Sequence, residues 1–216
     1  MLLDVFTLVP EAFGWLTGRR PVAAVLGSEL ELRIFNYRDS TPLRAGQVDD
    51  EPYGGGPGMV LRVDVVAAAL DAVYEGAPPG RVIALSPAGR QLDQELVEEL
   101  AAEPALALLS ARFEGFDQRI LDHLCTDAIS IGPYVLSGGE IPAMALIDAV
   151  ARRLPGALSD GSGELESFSP AFAGGLEHPH YTRPAEFRGW SVPEILLSGD
   201  HARIEQWRLA HVRSVG

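Results

Sequence analysis

Short apolar segments alternate with helix-like segments over the first 156 residues, and this alternation constrains the fold more than any other feature. Runs such as LLDVFTLV (2–9), RVIALSP (81–87) and AISIGPYVLS (128–137) have the apolar, β-rich character of buried strands. The intervening LDQELVEELAAE (92–103) and EIPAMALIDAVARRLPG (140–156) have helical composition. Repeated alternation of this kind predicts an α/β fold with a mainly parallel sheet flanked by helices on both faces.

The same signals assign the rest of the chain. Further strands are predicted at 30–37 and from 105 into a loop ending at 115, with helices at 62–76 and 117–125 and a short one from Pro10. Turn-forming residues predict a long loop over 38–59. A final helix is predicted at 200–214 with Asp200 as its N-cap. We therefore expect a domain at 1–156, a Gly-, Ser- and Pro-rich linker or substrate loop at 157–190, and a C-terminal helical segment at 191–216.

Composition narrows the function classes. The formal net charge is −13 and all 17 cationic side chains are arginines, which argues against a uniformly basic surface for phosphate backbones. A single cysteine, Cys125, excludes an internal disulfide framework and a Cys-rich metal site. Neither a signal peptide nor an apolar run of about 18 residues is found, so we expect a cytoplasmic protein with no membrane partner.

Glycine-bearing turns follow three of the predicted strands, at LSPAG (85–89), ARFEG (111–115) and PYVLSGGE (133–140). Parallel sheets bind ligands at the carboxyl ends of their strands, and glycines allow the main chain to approach a ligand closely. An acid at the helix start, Glu140, disfavours phosphate there and favours a neutral or cationic ligand such as a sulfonium nucleoside. Taken alone, each turn is more typical of an ordinary tight connection than of a ligand site.

The turns also belong to a longer series of motifs in one order. The series includes LVPEAF near the start, VDDEPYGGGPGM (48–59), RFEGFDQR (112–119), SIGPYVLSGGEIPAMALIDAV (130–150), HPHYTRP (178–184) and VPEILLSGDHARIEQWR (192–208). From Leu2 to about Arg208 this series closely resembles the bacterial tRNA (guanine-N1)-methyltransferases of the SPOUT superfamily. The resemblance implies a deep trefoil knot over residues 81–140, an S-adenosylmethionine pocket within it, a homodimer with its active site at the subunit interface, and tRNA as partner. The family also allows a magnesium ion, although no acidic cluster in this sequence specifies its site.

The resemblance assigns roles to individual residues. Cofactor contacts fall on Leu85, Ser86, Pro87, Arg112, Glu114, Gly115, Ile131, Gly132, Tyr134, Leu136, Gly138, Gly139 and Pro142. Contacts with the target guanine fall on Tyr53, Gly54, Gly55, Gly56, Pro57, Gly58, Ser167 and His180. The catalytic residues implied are Glu166 as general base, Arg152 as the cation that stabilises charge on guanine O6, and Glu114 beside cofactor and base. Asp160 and Glu164 are alternative bases. No residue is assigned to a metal, since HPH (178–180) lacks completing ligands.

Four departures from the family pattern leave other functions open. Glu166 replaces an aspartate, ARFEG replaces Gly-Arg-Tyr-Glu-Gly, the stretch before VDD is nearly neutral, and family members continue beyond the position of Gly216 into a helical region that grips tRNA. With the acidic composition, these departures suit a methyltransferase acting on a ring nitrogen of a small heterocyclic metabolite. A third alternative is a protein that binds the cofactor without catalysis.

Overall fold

A five-stranded parallel sheet lies at the centre of the first part of the chain in the computed structural model, which describes residues 1–159, 163 and 165–214. In the order β2-β1-β6-β5-β7, each pair of neighbouring strands runs parallel. The pairs β3–β4 and β8–β9 are antiparallel. The strands are β1 (Leu2–Thr7), β2 (Glu31–Asn36), β3 (Asp49–Asp50), β4 (Val60–Leu61), β5 (Arg81–Gln91), β6 (Ala105–Ser110), β7 (Asp127–Ser130), β8 (Glu186–Phe187) and β9 (Trp190–Ser191).

Helices connect these strands as the alternation predicts. They are α1 (Gly14–Thr17), α2 (Val22–Val25), α3 (Tyr37–Ser40), α4 (Val63–Val73), α5 (Gln94–Ala101), α6 (Gln118–His123), α7 (Glu140–Ala151), α8 (Glu194–Leu197) and α9 (His201–Ala210), with 3-10 turns at Pro10–Phe13, Arg44–Gly46 and Pro170–Phe172. The Asp200 side chain accepts the N–H of Arg203 at 3.1 Å, which confirms the predicted cap of α9.

Both faces of the central strand β6 are buried. Ala107 and Leu109 belong to a cluster with α4 residues such as Val65 and Val66, whereas Leu106 and Leu108, also buried, alternate with them along the strand. Burial on both sides explains why this strand is apolar at almost every position instead of alternating. The α/β prediction is confirmed, and the knot implied by the resemblance stays a prediction.

A buried carboxylate joins the first two strands to α4. Asp4 is 1% exposed and accepts two hydrogen bonds from Arg33, at 2.7 and 2.8 Å, and one from the hydroxyl of Tyr74 at 2.5 Å. Burial and the neighbouring carboxylate raise the pKa of Tyr74, so its hydroxyl stays a donor. A buried charge this well paired costs little, but removing one partner would leave it unsatisfied.

Three segments differ from the sequence-based expectation. The 38–59 loop contains part of α3, a 3-10 turn and β3, and β7 ends at Ser130, seven residues before the predicted end. Strand β5 continues past the predicted Ser-Pro stop to Gln91. Leu85 and Arg90 both pair with Ile129, so the four residues between them leave the ladder. Pro87 has no N–H to donate, so the turn signal marks this bulge and not the strand end.

The chain divides into two compact units, Met1–Ala157 and Leu158–Gly216. The second contains the β8–β9 hairpin, α8 and α9, and its chain after α9 pairs with an earlier segment through Leu176 and Arg213, N–H to O at 2.8 and 3.1 Å. The roles predicted for residues 157–190 and 191–216 stay predictions. None of the helices within the described ranges has the length and apolar character that crossing a membrane requires.

Candidate active site

A cleft at the carboxyl ends of three adjacent strands gathers the glycine-bearing loops. The loops after β6 and β7, together with the bulge of β5, line a cavity with about 700 Å³ of empty space, its open mouth included. Every residue that the resemblance assigns to the cofactor lines it: Leu85, Ser86, Pro87, Arg112, Glu114, Gly115, Ile131, Gly132, Tyr134, Leu136, Gly138, Gly139 and Pro142. The structure brings these residues together, and their contact with a cofactor stays a prediction.

Gly139 fixes the loop that enters α7 against the end of β6. Its N–H donates to the carbonyl oxygen of Ala111 at 2.8 Å, and a Cβ added to it would lie 2.7 Å from the Cα of Ser110. Because that neighbour is main chain, it cannot turn aside as a flexible side chain could. The close approach therefore requires glycine here, as the sequence predicted for a loop that presents main chain to a ligand.

Glu140 at the first position of α7 is buried and holds Arg112. Its Oε1 accepts a hydrogen bond from Thr7 Oγ1 at 2.9 Å, and its Oε2 accepts one from Arg112 Nη1 at 3.2 Å. The Glu140 side chain is only 6% exposed, whereas that of Arg112 is 37% exposed and borders the cleft. The positive end of the α7 dipole also favours this carboxylate. Glu140 thus positions a cation in the cleft wall, a role that its sequence position alone does not indicate.

The Gly-rich segment that the resemblance assigns to the target guanine lies beside Glu114. The N–H of Glu114 donates to the carbonyl oxygen of Met59 at 2.9 Å, and the N–H of Leu61 donates to that of Gly115 at 3.0 Å. Gly58, at φ +83°, packs against the Glu114 side chain. The exposed residues of the segment are Tyr53, Gly54, Gly55, Gly56, Pro57 and Gly58. Glu114 therefore borders both the cleft and the segment expected to contact the base.

The ARFEG departure affects the backbone less than its sequence suggests. Ala111 is buried, and it is absent from the residues with positive φ. The left-handed conformations in this loop fall on Phe113, at φ 61°, and Gly115, at φ 106°. Residue 111 therefore does not have a backbone conformation that requires glycine, so alanine is tolerated there. The strained, left-handed conformation falls on Phe113 instead.

Two consecutive arginines at the end of α7 have different surroundings. Arg153 forms an ion pair with Glu98 at 2.8 Å that joins α7 to α5. Arg152 is the C-cap, and its N–H donates to the carbonyl oxygen of Asp148 at 3.1 Å. Burial raises the pKa of the Asp148 carboxyl, and the charge of Arg152 partly offsets that rise. Asp148 is a neighbour of the expected catalytic arginine that the sequence reasoning missed, although its i, i+4 spacing could have indicated it.

The remaining expected site residues lie in the second unit. Ser167 Oγ accepts the N–H of Glu177 at 3.1 Å, and His180 Nε2 lies 2.8 Å from Glu177 Oε2. The carbonyl oxygen of Glu166 accepts the N–H of Ser169 at 3.1 Å. The alternative bases Asp160 and Glu164 lie outside the described residues. Within the described residues no three His, Cys, Asp or Glu side chains are grouped so that they could hold a metal ion.

Comparison with known proteins extends over nearly the whole chain. The family model described as tRNA (Guanine-1)-methyltransferase TrmD matches residues 1–215. A tRNA (guanine-N(1)-)-methyltransferase of Brevibacillus brevis is 48% identical over 211 residues, which cover 97% of this chain and 85% of that protein. Proteins of the same name from Dehalococcoides mccartyi and Exiguobacterium sibiricum are each 49% identical, covering 96% of this chain and 84% of theirs. The chain therefore belongs to the tRNA (guanine-1)-methyltransferase family.

Proposed function

We propose that this protein transfers a methyl group from S-adenosylmethionine to N1 of a guanine in tRNA. One observation carries the proposal: in a chain of this family, the loops after β6 and β7 and the bulge of β5 bring every expected cofactor residue to a single cleft. The Gly-rich segment expected to meet the guanine is hydrogen-bonded to the rim of that cleft through Glu114 and Gly115. The cofactor and the target guanine would therefore meet beside Glu114.

The cleft wall fits the cofactor chemically. Side chains such as Leu85, Pro87 and Leu136 offer apolar contact to an adenosine, while main-chain groups of the glycine-bearing loops offer hydrogen bonds. Arg112, held by Glu140, and Glu114 supply the charged groups of the wall. S-adenosylmethionine, when bound, supplies a methyl group already activated by its sulfonium. The protein's own work is then to orient the two reactants, remove a proton and stabilise charge.

The acceptor explains why an acid and an arginine are needed. Guanine N1 carries a proton and is a poor nucleophile until a base removes it, and we assign that step to Glu166. As N1 loses its proton, negative charge develops on O6, where a positioned cation such as Arg152 would stabilise it. Relative to the family's aspartate, Glu166 extends the carboxylate by one methylene, roughly 1.5 Å, so the surrounding backbone must compensate for this reach.

Several companion properties belong to the same proposal. Homodimerisation is supported by two exposed apolar side chains at the cleft loop and the start of α7, Val135 and Ile141, which are 85% and 54% exposed. The trefoil knot rests on the resemblance. A cytoplasmic location follows from tRNA as substrate. A role for magnesium rests on the resemblance alone.

The test is methyl transfer from labelled S-adenosylmethionine to bulk tRNA, with free guanine and guanosine as alternative acceptors. We expect label in tRNA as 1-methylguanine, no label in the small acceptors, and an apparent affinity for tRNA that falls as salt rises. Label in a small heterocycle with none in RNA would instead establish the metabolite alternative. Cofactor binding without transfer to any acceptor would show a non-catalytic protein.

A further inference from the structure

A second cavity lies wholly within the unit Leu158–Gly216, between the segment 178–181 and helix α9. It has about 800 Å³ of empty space, its open mouth included, and is formed by rings, apolar side chains and two charged groups. Its lining residues from α9 are His201, Ile204, Glu205, Trp207 and Arg208. Four of the chain's five histidines lie in or beside it, at 178, 180, 201 and 211.

Trp207 is the central ring of this cavity. It stacks on His211, with centroids 4.0 Å apart and planes 23° from parallel, and His211 Nδ1 lies 2.7 Å from the Trp207 carbonyl oxygen. His178 and Tyr181 each approach it edge-on at 6.3 Å. His211 therefore covers one face of the indole, and Trp207 also lines the cavity. Such an arrangement fits a flat ring inserted against Trp207.

Polar groups at the cavity suit the rest of a nucleotide. Arg208, whose side chain is 49% exposed, lies 3.8 Å from Glu205, so it can turn to an outside anion at small cost. His180 and Glu205 line the cavity, and both can bond to the edge of a heterocycle. His180 is held from outside the lining by Glu177, 2.8 Å away. Proteins usually bind an unpaired nucleotide with aromatic rings that stack on its base, an arginine that contacts its phosphate, and acceptors that bond to its amino groups.

We infer that this cavity binds an unpaired nucleotide of the RNA substrate other than the guanine that is methylated; the inference rests on the proposed function. It reassigns His180, which the resemblance gives to the methylated guanine, to this second nucleotide. The net charge of −13 adds to the argument. A chain this acidic gains little affinity from counterion release, because that needs many phosphate contacts. Stacking on an aromatic ring supplies affinity that does not depend on the protein's net charge.

The experiment compares Trp207→Ala and Trp207→Phe with Trp190→Ala in the full chain. Trp190 is the control because it lies in the same unit, is 70% exposed, and packs on Phe187 outside the cavity. We expect Trp207→Ala to raise the Kd and KM for tRNA about 5- to 100-fold, the range for loss of one base stack. Trp207→Phe should recover most of the affinity, and Trp190→Ala should match the wild type. The kcat at saturating tRNA and the affinity for S-adenosylmethionine should stay at their wild-type values in all three variants.

Salt dependence separates stacking from a merely structural role. Trp207→Ala should leave the slope of log Kd against log salt unchanged, whereas Arg208→Gln should reduce it by about 0.7, the value for one phosphate contact. An unchanged Kd in Trp207→Ala, or an equal loss in Trp190→Ala, would overturn the inference while wild-type methylation of tRNA still upholds the proposed function. If the wild-type protein does not methylate tRNA, the proposed function itself is wrong.

Discussion

Glu140 shows how much of the cleft depends on one side chain. Its carboxylate is buried between Thr7 and Arg112, so the arginine at the cleft wall is oriented from behind. A charged pair in a site that excludes water is stronger than the same pair on the surface. Arg112 itself is more than a third exposed, and without Glu140 it would be free to turn toward solvent.

Replacing Glu140 tests this positioning. Glu140→Gln keeps the shape but loses the charge, and we expect the KM for S-adenosylmethionine to rise about tenfold, the equivalent of one charged hydrogen bond, with a smaller change in kcat. Glu75→Gln, a substitution of an exposed glutamate in unit Met1–Ala157, is the control for lost charge. If both variants have wild-type KM, Glu140 does not orient Arg112.

Two adjacent arginines, Arg152 and Arg153, provide a matched pair of substitutions that tests the proposed catalytic cation. Arg152→Ala should lower kcat by about 10²-fold or more and leave the affinity for S-adenosylmethionine largely intact, because the charge it stabilises exists only during reaction. Arg153→Ala removes the ion pair with Glu98, so it should lower the unfolding temperature slightly with little effect on kcat. Equal loss of cofactor affinity and rate in Arg152→Ala would show that its role is misassigned.

Glu166 is tested as the base by two substitutions of different reach. Glu166→Gln should reduce kcat by about 10²- to 10⁴-fold without weakening tRNA binding, since the amide cannot take the N1 proton. Asp160→Asn and Glu164→Gln, made in parallel, are the controls. Should either of these lose more activity than Glu166→Gln, the base lies at that position. Glu166→Asp then reports whether the backbone has compensated for the longer side chain.

At the scale of elements, the site is an arrangement of strand ends. Strands β6, β5 and β7 are neighbours in a parallel sheet, so the loops that follow them and the bulge of β5 meet along one edge. Helix α7 starts in the cleft at Gly139 and ends at Arg152, roughly 18 Å away for its 12 residues. The loop expected to hold the cofactor and the arginine expected to act on the guanine therefore lie at the two ends of one rigid helix. Over that distance Arg152 cannot reach a guanine in the cleft of its own chain, so in the proposed homodimer it would act at the cleft of the other subunit.

The junction of β6 with α7 can be tested by adding one methyl group. Gly139→Ala places a Cβ 2.7 Å from the Ser110 Cα, so the loop must shift. We expect a loss of about 1–3 kcal/mol in the free energy of unfolding and at least tenfold weaker cofactor binding, measured by chemical denaturation and calorimetry. Gly76→Ala is the control, because its Cβ would meet open space and its φ is ordinary. Equal effects of both substitutions would contradict a specific close approach.

The elements that could be predicted are those set by local patterns. The apolar run of β1, the composition of α5 and the cap at Asp200 need no distant partner to be recognised, and all three are present. The bulge of β5 was missed because it depends on pairing with Ile129, about 40 residues along the chain. Glu140 was read only as an obstacle to phosphate, since its partner Thr7 is 133 residues away in sequence. The cavity around Trp207 likewise exists only once segment 178–181 meets α9.

At the scale of the whole molecule, the acidic composition acts on folding and on RNA binding in opposite ways. A net charge of −13 makes the folded chain repel itself, and added salt screens that repulsion. Salt also weakens contacts between arginines and phosphates. The same change in ionic strength should therefore stabilise the protein and loosen its complex with tRNA.

Thermal unfolding and tRNA binding measured in one salt series would test this opposition. Between about 0.02 and 0.3 M NaCl, beyond which the Debye length is already short, we expect the unfolding midpoint to rise by a few degrees while the Kd for tRNA increases. Repeating the series with KCl is the control for ion-specific effects. A midpoint that falls with salt would mean that screened ion pairs outweigh the self-repulsion.

The close packing of Gly139 against Ser110 also bears on how this protein could become resistant to an inhibitor that binds the cleft. Four glycines belong to its wall, at 115, 132, 138 and 139, and at Gly139 no side chain fits. A compound that binds these peptide groups would have few contacts that a single point mutation could delete without also harming the native ligand. Drug resistance at this cleft would consequently carry a fitness penalty.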